Sequence, residues 1–373
     1  MKYFDFASTT PVNQEVLDTY QRVLQKYYVN SESLYPEGLE VNKLVDKSRR
    51  QVADLLRVKP MEIIFTSGAS ESNNMAIKGY CLKNQEKGRH VITTVIEHSS
   101  VLNSYRWLET YCGFEVSWLK VNQEGKIDPE ELKSLMRDDT ILVSVMYVNN
   151  ESGSIQPIEE VKKIVRGYRN CALHVDCVQA LGKMDIDLNG IDMASFSAHK
   201  IYGLKGSGVL YKKQSIMMAP LISGGIQEQG IRGGTVNSPA AMLWGKTLRL
   251  ALTDLDKKYS IVKQYHDYMM EELKGMDDIV INSPEDGLPY VINFSCLKIQ
   301  SEVMMNALNM RGYCVSAQST CESNIAVSHV ISRMFKDEKR LKGTIRVSLS
   351  ALLSWDDVRS FIKDLKEIVS IYG

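Results

Sequence analysis

The sequence predicts an α/β protein: a large domain on a mostly parallel seven-stranded sheet flanked by helices, plus a smaller α+β C-terminal domain. Three observations predict it. Apolar, β-branched runs alternate with helical stretches through the middle of the chain, the pattern of strand–helix–strand units. Several of those runs are apolar almost throughout, ILVSVMYV from Ile141 above all, which marks strands buried on both faces. After Asn237 the texture changes to a long helical stretch, short strands and a closing helix.

In chain order, the predicted strands of the large sheet are Glu62–Thr66, His90–Ile96, Val116–Val121, Ile141–Val148, Ala172–Val178, Met193–Ser197 and Gly208–Lys212. Helical patterns lie between them at Asn74–Lys83, Ser100–Tyr111, Pro129–Met136 and Ile158–Arg169. A helical stretch from Pro239 to Gly275 breaks near Lys257, Tyr290–Phe294 reads as a strand and Ser301–Arg311 as a helix. In TIRVSLS, Ile345, Val347 and Leu349 alternate with Arg346, Ser348 and Ser350, so a period of two puts the arginine opposite the apolar face. The last helix opens on a capping box of Ser354 and Asp357. It carries one apolar stripe of Val358, Phe361, Ile362, Leu365, Ile368 and Val369. The expected domains are 12–255 and, together, 1–11 with 256–373, packed closely because no low-complexity linker separates them.

With 373 residues, 44% hydrophobic and 24% charged, the chain is neither disordered nor collagen-like. Its 45 basic and 45 acidic residues cancel, so no global field draws it to nucleic acid or to an anionic membrane. The start, MKYFDFASTT, lacks a signal-peptide core, and no apolar run approaches ~18 residues. Seven scattered cysteines without CxxC or HExxH fit neither a disulfide framework nor a metal site. A reducing, cytoplasmic setting is expected.

Five segments carry the chemistry. SFSAHKIYGLKGSG places Lys200 just after a buried strand, where a lysine is costly unless solvated, paired or chemically used. HVDCVQ places Asp176 at a strand end, where it needs a partner. A protonated ring nitrogen would serve, and an aspartate on a pyridinium with a lysine Schiff base is the protein's half of a pyridoxal-phosphate (PLP) site. TSGASESNN is a strand–turn–helix start suited to a phosphate, without the GK[ST] or GxGxxG of nucleotide loops. In VIEHSS, His98 can stack on a flat ring or move a proton. VNNESG puts Asn149 and Asn150 at the carboxyl edge where open α/β sheets bind ligands. The first four have structural alternatives: a surface lysine, a helix cap or salt bridge, an ordinary turn, a buried histidine.

In this order the five segments resemble the cysteine desulfurases, the NifS-like branch of the class V aminotransferases, with a fold-type-I PLP-dependent transferase architecture. The resemblance runs from DFASTTPV at Asp5 to the final helix. It implies a homodimer with PLP at the interface. Lys200 is then the Schiff-base lysine, Asp176 the pyridinium partner and His98 the ring-stacking acid–base. Asn150 and Gln179 contact ring substituents. Ala69, Ser70, Ser197 and His199 hold the phosphate, with Thr235 reaching it from the other subunit. Arg346 binds the substrate carboxylate.

The nucleophile loop departs from the pattern. The branch carries SSGSACTS; here the stretch is SAQSTCESN, with Cys321 on the nucleophile position, Gln318 replacing a glycine and Thr320 an alanine. Ile226 interrupts the usual GGGQE, and Tyr35 stands in NSESLYPEG where the family has NPSSLH. Cys314 reads as a buried strand residue. The implied reaction converts L-cysteine to L-alanine with a persulfide on Cys321, passed to a sulfur-acceptor protein for iron–sulfur assembly or thiolation of tRNA or cofactors. The alternatives are selenocysteine lyase, cysteine-sulfinate desulfinase, an aminotransferase, or a non-catalytic scaffold of the same fold.

Overall fold

A computed structural model describes residues 1–317 and 327–373. Its strands are β1 (Lys2–Tyr3), β2 (Ile63–Thr66), β3 (His90–Thr94), β4 (Glu115–Leu119), β5 (Thr140–Met146), β6 (Ala172–Asp176), β7 (Met193–Ser197), β8 (Gly208–Lys212), β9 (Ile279–Ile281), β10 (Val291–Cys296), β11 (Tyr313–Cys314) and β12 (Thr344–Ser348). Strands β2 to β8 form a seven-stranded sheet in the order β2-β8-β7-β6-β5-β3-β4. Only β8 runs against its neighbours; the remaining pairs are parallel. The mostly parallel sheet is as expected, and its strands fall within two residues of the predicted ends.

The apolar runs explain the arrangement. Every residue of β3, β5, β6, β7 and β8 is buried, as helices on both faces require. Partly exposed β4 takes an edge. The reversed strand β8 begins against the turn after β2, and only a glycine fits there. A Cβ on Gly208 would lie 2.5 Å from the Gly68 Cα and 2.6 Å from the Thr66 Oγ1.

A second sheet, β12-β10-β9, is antiparallel, and β1 pairs in parallel with β11. The first residues of the chain are thereby sewn into its C-terminal part. Ser348 N–H donates to the Phe4 carbonyl at 2.7 Å, and Asp5 bridges to Ser348. Alternation in TIRVSLS leaves no exposed polar face, because all five residues of β12 are buried and its arginine side is covered by residues 5–8. One continuous core joins Val143, Val175 and Phe196 of the large sheet to Phe294, Val347 and Phe361.

The long helical stretch divides into Ser238–Leu252 and Leu255–Lys274, with Asp254 between them at φ 53°. The capping box of the last helix forms as read, Ser354 and Asp357 each bonding the other's backbone N–H. Two helices outside the predicted set, Gln14–Lys26 and Pro36–Leu56, precede the sheet. The second buries Val41, Val45, Val52 and Leu56 and docks on Ser238–Leu252, where the Ser48 hydroxyl donates to the Ala241 carbonyl at 2.6 Å. Cys314 lies on β11 but is partly exposed rather than buried, since that strand is a two-residue ribbon. Among the described residues no helix is long and apolar enough to cross a membrane.

Candidate active site

The parallel strands deliver their carboxyl ends to one edge. Asp176 ends β6, Ser197 ends β7, Thr66 ends β2, Asn150 follows β5 and His98 follows β3. This is the edge at which open α/β sheets hold ligands.

Asp176 is 5% exposed. Its Oδ1 accepts from the Val178 N–H at 3.0 Å and its Oδ2 from the Asn73 Nδ2 at 2.8 Å. Among the described residues it forms no ion pair with a cation. The same Asn73 Nδ2 donates to the Ser100 Oγ at 2.9 Å, and Ser100 Oγ lies 2.8 Å from the His98 Nδ1. A hydrogen-bonded line thus joins the aspartate to the histidine. His98 also caps the helix Ser99–Cys112, its Nδ1 accepting from the Ser100 N–H at 3.1 Å. An Nδ1 that accepts puts the proton of the neutral ring on Nε2.

Lys200 sits on a short turn after β7. Its Nζ donates to the Ala7 and Ser8 carbonyls, both at 2.6 Å. The Ala7 carbonyl also accepts from the Gln179 Nε2 at 3.0 Å. The Ser8 hydroxyl meets the Arg346 Nη2 at 2.6 Å, and Arg346 Nη1 donates to the Asn150 carbonyl at 3.0 Å. Arg346 is 1% exposed, pairs with Asp5 and keeps one buried N–H, at Nε, without a partner among the described residues. His199 is tied to the same strip through the Thr9 Oγ1 at 3.1 Å. Burial, then Lys200, Lys205 and Lys183, push its pKa down to about 4, so the imidazole is neutral.

The structure therefore gathers Asp176, His98, Lys200, Gln179, Asn150, Ser197, His199 and Arg346 on one edge. Ala69 and Ser70 open the helical run that follows β2 at that edge. Thr235 is exposed and shares a cavity of about 140 Å³ with Ser67, Gly206 and Arg232. Arg232 in turn pairs with Glu71 at 2.8 Å. Gln318, Thr320 and Cys321 lie outside the described residues. Among the other cysteines, burial raises the thiols of Cys81, Cys171 and Cys177 well above their ordinary range, the state of inert structural sulfur.

Sequence reading passed over several participants. Residues 5–10 form a strip that touches Lys200, Gln179, His199 and Arg346. Asn73 and Ser100 link the aspartate to the histidine, and Lys183 backs Gln179 at 2.6 Å. Glu97 is wholly buried beside His98. Of these only Glu97, closing the short apolar stretch VI, carries a local signal; the others sit in polar stretches, and packing alone brings them to the site.

A crevice at the carboxyl edge of a mostly parallel sheet, holding a lysine, a buried carboxylate with no ion pair among the described residues and a buried arginine, defines an α/β enzyme site. The chain matches the aminotransferase class-V family over residues 2–361. It is 38% identical to a cysteine desulfurase IscS of Dictyoglomus turgidum, across 98% of this chain and 94% of that one. It is 40% identical to a NifS/IcsS protein homolog of Lactobacillus delbrueckii subsp. bulgaricus, across 99% and 97%. A solved NifS-like protein, 35% identical, superposes with a TM-score of 0.94 over 100% of both chains. The chain belongs to the class-V aminotransferase family, in its NifS-like branch.

Proposed function

We propose that this protein is a PLP-dependent cysteine desulfurase: it takes sulfur from L-cysteine, leaves L-alanine and holds the sulfur as a persulfide on Cys321. A sulfur-acceptor protein then collects it, for iron–sulfur cluster assembly or thiolation. The observation that carries this reading is Asp176, a buried carboxylate held by two N–H donors and, among the described residues, in no ion pair, on the edge that also holds Lys200. Such a carboxylate is expensive until a positive ring nitrogen faces it.

The residues present fit PLP. Lys200 would hold it covalently, Asp176 would keep its ring nitrogen protonated, and His98 would lie against the ring. Asn150 and Gln179 would meet ring substituents. Ala69, Ser70, Ser197 and the neutral His199 would hold the phosphate, with Thr235 of the other protomer. Bound there, PLP supplies an electron sink for bonds broken next to the substrate's amine.

The chain's own residues do the rest. Arg346 orients the substrate carboxylate through its guanidinium, and its unpartnered Nε–H is an available donor. The Lys200 amine takes the α-proton. Cys321, as thiolate, forms an S–S bond to the substrate sulfur while the Cβ–S bond breaks. The carbon skeleton ends as alanine, one proton richer at Cβ, and His98 is placed to move such protons.

The homodimer belongs to this reading. Met61 and Ile226 are exposed on the lining of a cavity of about 330 Å³ that also holds the Arg49–Glu228 pair. Exposed apolar side chains at such a cavity suit a second copy. We place the domain boundaries at 12–255 and 1–11 with 256–373; the pairing of β1 with β11 supports the split second domain. A cytoplasmic location is part of the proposal.

The test is direct. Purified protein with PLP and L-cysteine should release alanine, and peptide mapping should find the persulfide on Cys321. Lys200→Ala should lose the borohydride-trapped PLP adduct. Normal desulfuration by Cys321→Ala, or a persulfide on Cys314 or Cys177, would overturn the assignment. Faster release of selenide from selenocysteine, independent of Cys321, would move the protein to the lyases.

A further inference from the structure

Lys183 is a buried cation that the proposed chemistry does not use. It is 7% exposed and, among the described residues, joins no ion pair. Its Nζ donates to the Gln179 Oε1 at 2.6 Å, four positions back in the chain. Burial, then Lys200 and Arg346, bring its pKa down to about 7. A lysine in that position is costly, and an apolar residue of the same size would spare the cost. Its place must be explained by what it does to Gln179.

A side-chain amide has one accepting and one donating edge, and which edge faces which way depends on its partners. The lysine nitrogen donates, so Oε1 turns to Lys183 and the NH₂ edge turns away. That edge meets the Ala7 carbonyl at 3.0 Å, the carbonyl that also holds the Lys200 Nζ at 2.6 Å. Lys183 and Lys200 further line one cavity of about 20 Å³, with Thr10, Tyr202 and Tyr290. Without Lys183, Oε1 would be buried with no donor, and the amide could reverse to present an acceptor to Lys200.

We propose that Lys183 is a positioning residue: it fixes the Gln179 amide so that its NH₂ edge faces the Lys200 cleft and donates to an oxygen substituent of the cofactor ring. This rests on the PLP reading above. Loss of one such hydrogen bond corresponds to a roughly 3- to 10-fold weaker grip on PLP.

The experiment titrates PLP into the apoprotein and records the visible band of the bound cofactor. Lys183→Met and Gln179→Leu should each weaken PLP binding several-fold and displace the band, and the double variant should be no weaker than Gln179→Leu alone. Lys183→Gln, which still donates to Oε1, should restore the band. Gln179→Glu gives an arm that needs no change at Lys183: the lysine keeps its partner, but the cleft edge becomes an acceptor, so PLP binding should fall as in Gln179→Leu. A wild-type band and affinity in Lys183→Met, additive losses in the double variant, or wild-type binding in Gln179→Glu would overturn the proposal. A merely structural lysine would lower the melting temperature and leave the band in place. Absence of a borohydride-trapped adduct in the wild-type protein would instead sink the PLP reading itself.

Discussion

Arg346 and Asp5, 341 positions apart, meet in a 2.8 Å ion pair in which the guanidinium is 1% exposed and the carboxylate 16%. The arginine expected to take the substrate carboxylate already has a carboxylate beside it. It also holds the Ser8 hydroxyl and the Asn150 carbonyl. The N-terminal strip is therefore a wall of the site, and β1 pairing with β11 keeps that wall in place.

Removing the charge of Asp5 should leave Arg346 buried and uncompensated. Breaking one side of a buried pair costs about 3–5 kcal/mol. Asp5→Asn, unfolded in urea without substrate, should lose stability on that order. A change below about 1 kcal/mol would show that Asp5 and Arg346 are held independently.

His98 combines two jobs that substitution can separate. Its Nδ1 caps a helix, and its ring is placed for proton transfer. Asparagine is a good cap without an imidazole, so His98→Asn should stay within about 1 kcal/mol of wild-type stability. Its turnover of L-cysteine should fall by about 10²-fold or more. His98→Ala should show the same turnover loss and a further stability loss of about 1 kcal/mol. Turnover near wild type in His98→Asn would remove the histidine from the chemistry.

How much of this was legible follows from the range of each signal. The strand from Ile141 announces itself because consecutive buried positions leave an apolar run broken only by Ser144. Lys200 and Asp176 stood out because each polar group closes such a run. The helix Pro36–Leu56 was less visible: Val41, Val45, Val52 and Leu56 make its stripe, but VNKLVDKSRRQV interleaves it with charge. Lys183 in QALGKMD looks like any surface lysine, and only the packing of its neighbours buries it. The Arg346–Asp5 pair has no local signature at all, since it joins the two ends of the chain.

Glu97 offers a prediction with a definite sign. It is wholly buried next to His98; its Oε1 accepts from the Met146 N–H and the Thr94 hydroxyl, both at 2.8 Å, and its Oε2 has no partner among the described residues. Burial raises its pKa to about 8, further helped by Asp176, while the two hydrogen bonds pull the other way. In the unfolded chain the same carboxyl titrates near its ordinary value of about 4.3. Between those two values the folded protein keeps a proton that the unfolded chain releases. Its contribution to stability is therefore complete below the unfolded pKa and is lost as the pH rises through the folded one, a difference on the order of 4 kcal/mol. Glu97→Gln keeps an oxygen for both donors and does not titrate. Measured on the apoprotein by urea unfolding, the variant should gain on the wild type steadily from pH 5 to pH 8.5, the other titrating groups being common to both. A stability difference that stays flat across that range would mean that Glu97 ionises in the folded protein as readily as in water, and that the carboxyl beside His98 is not held neutral.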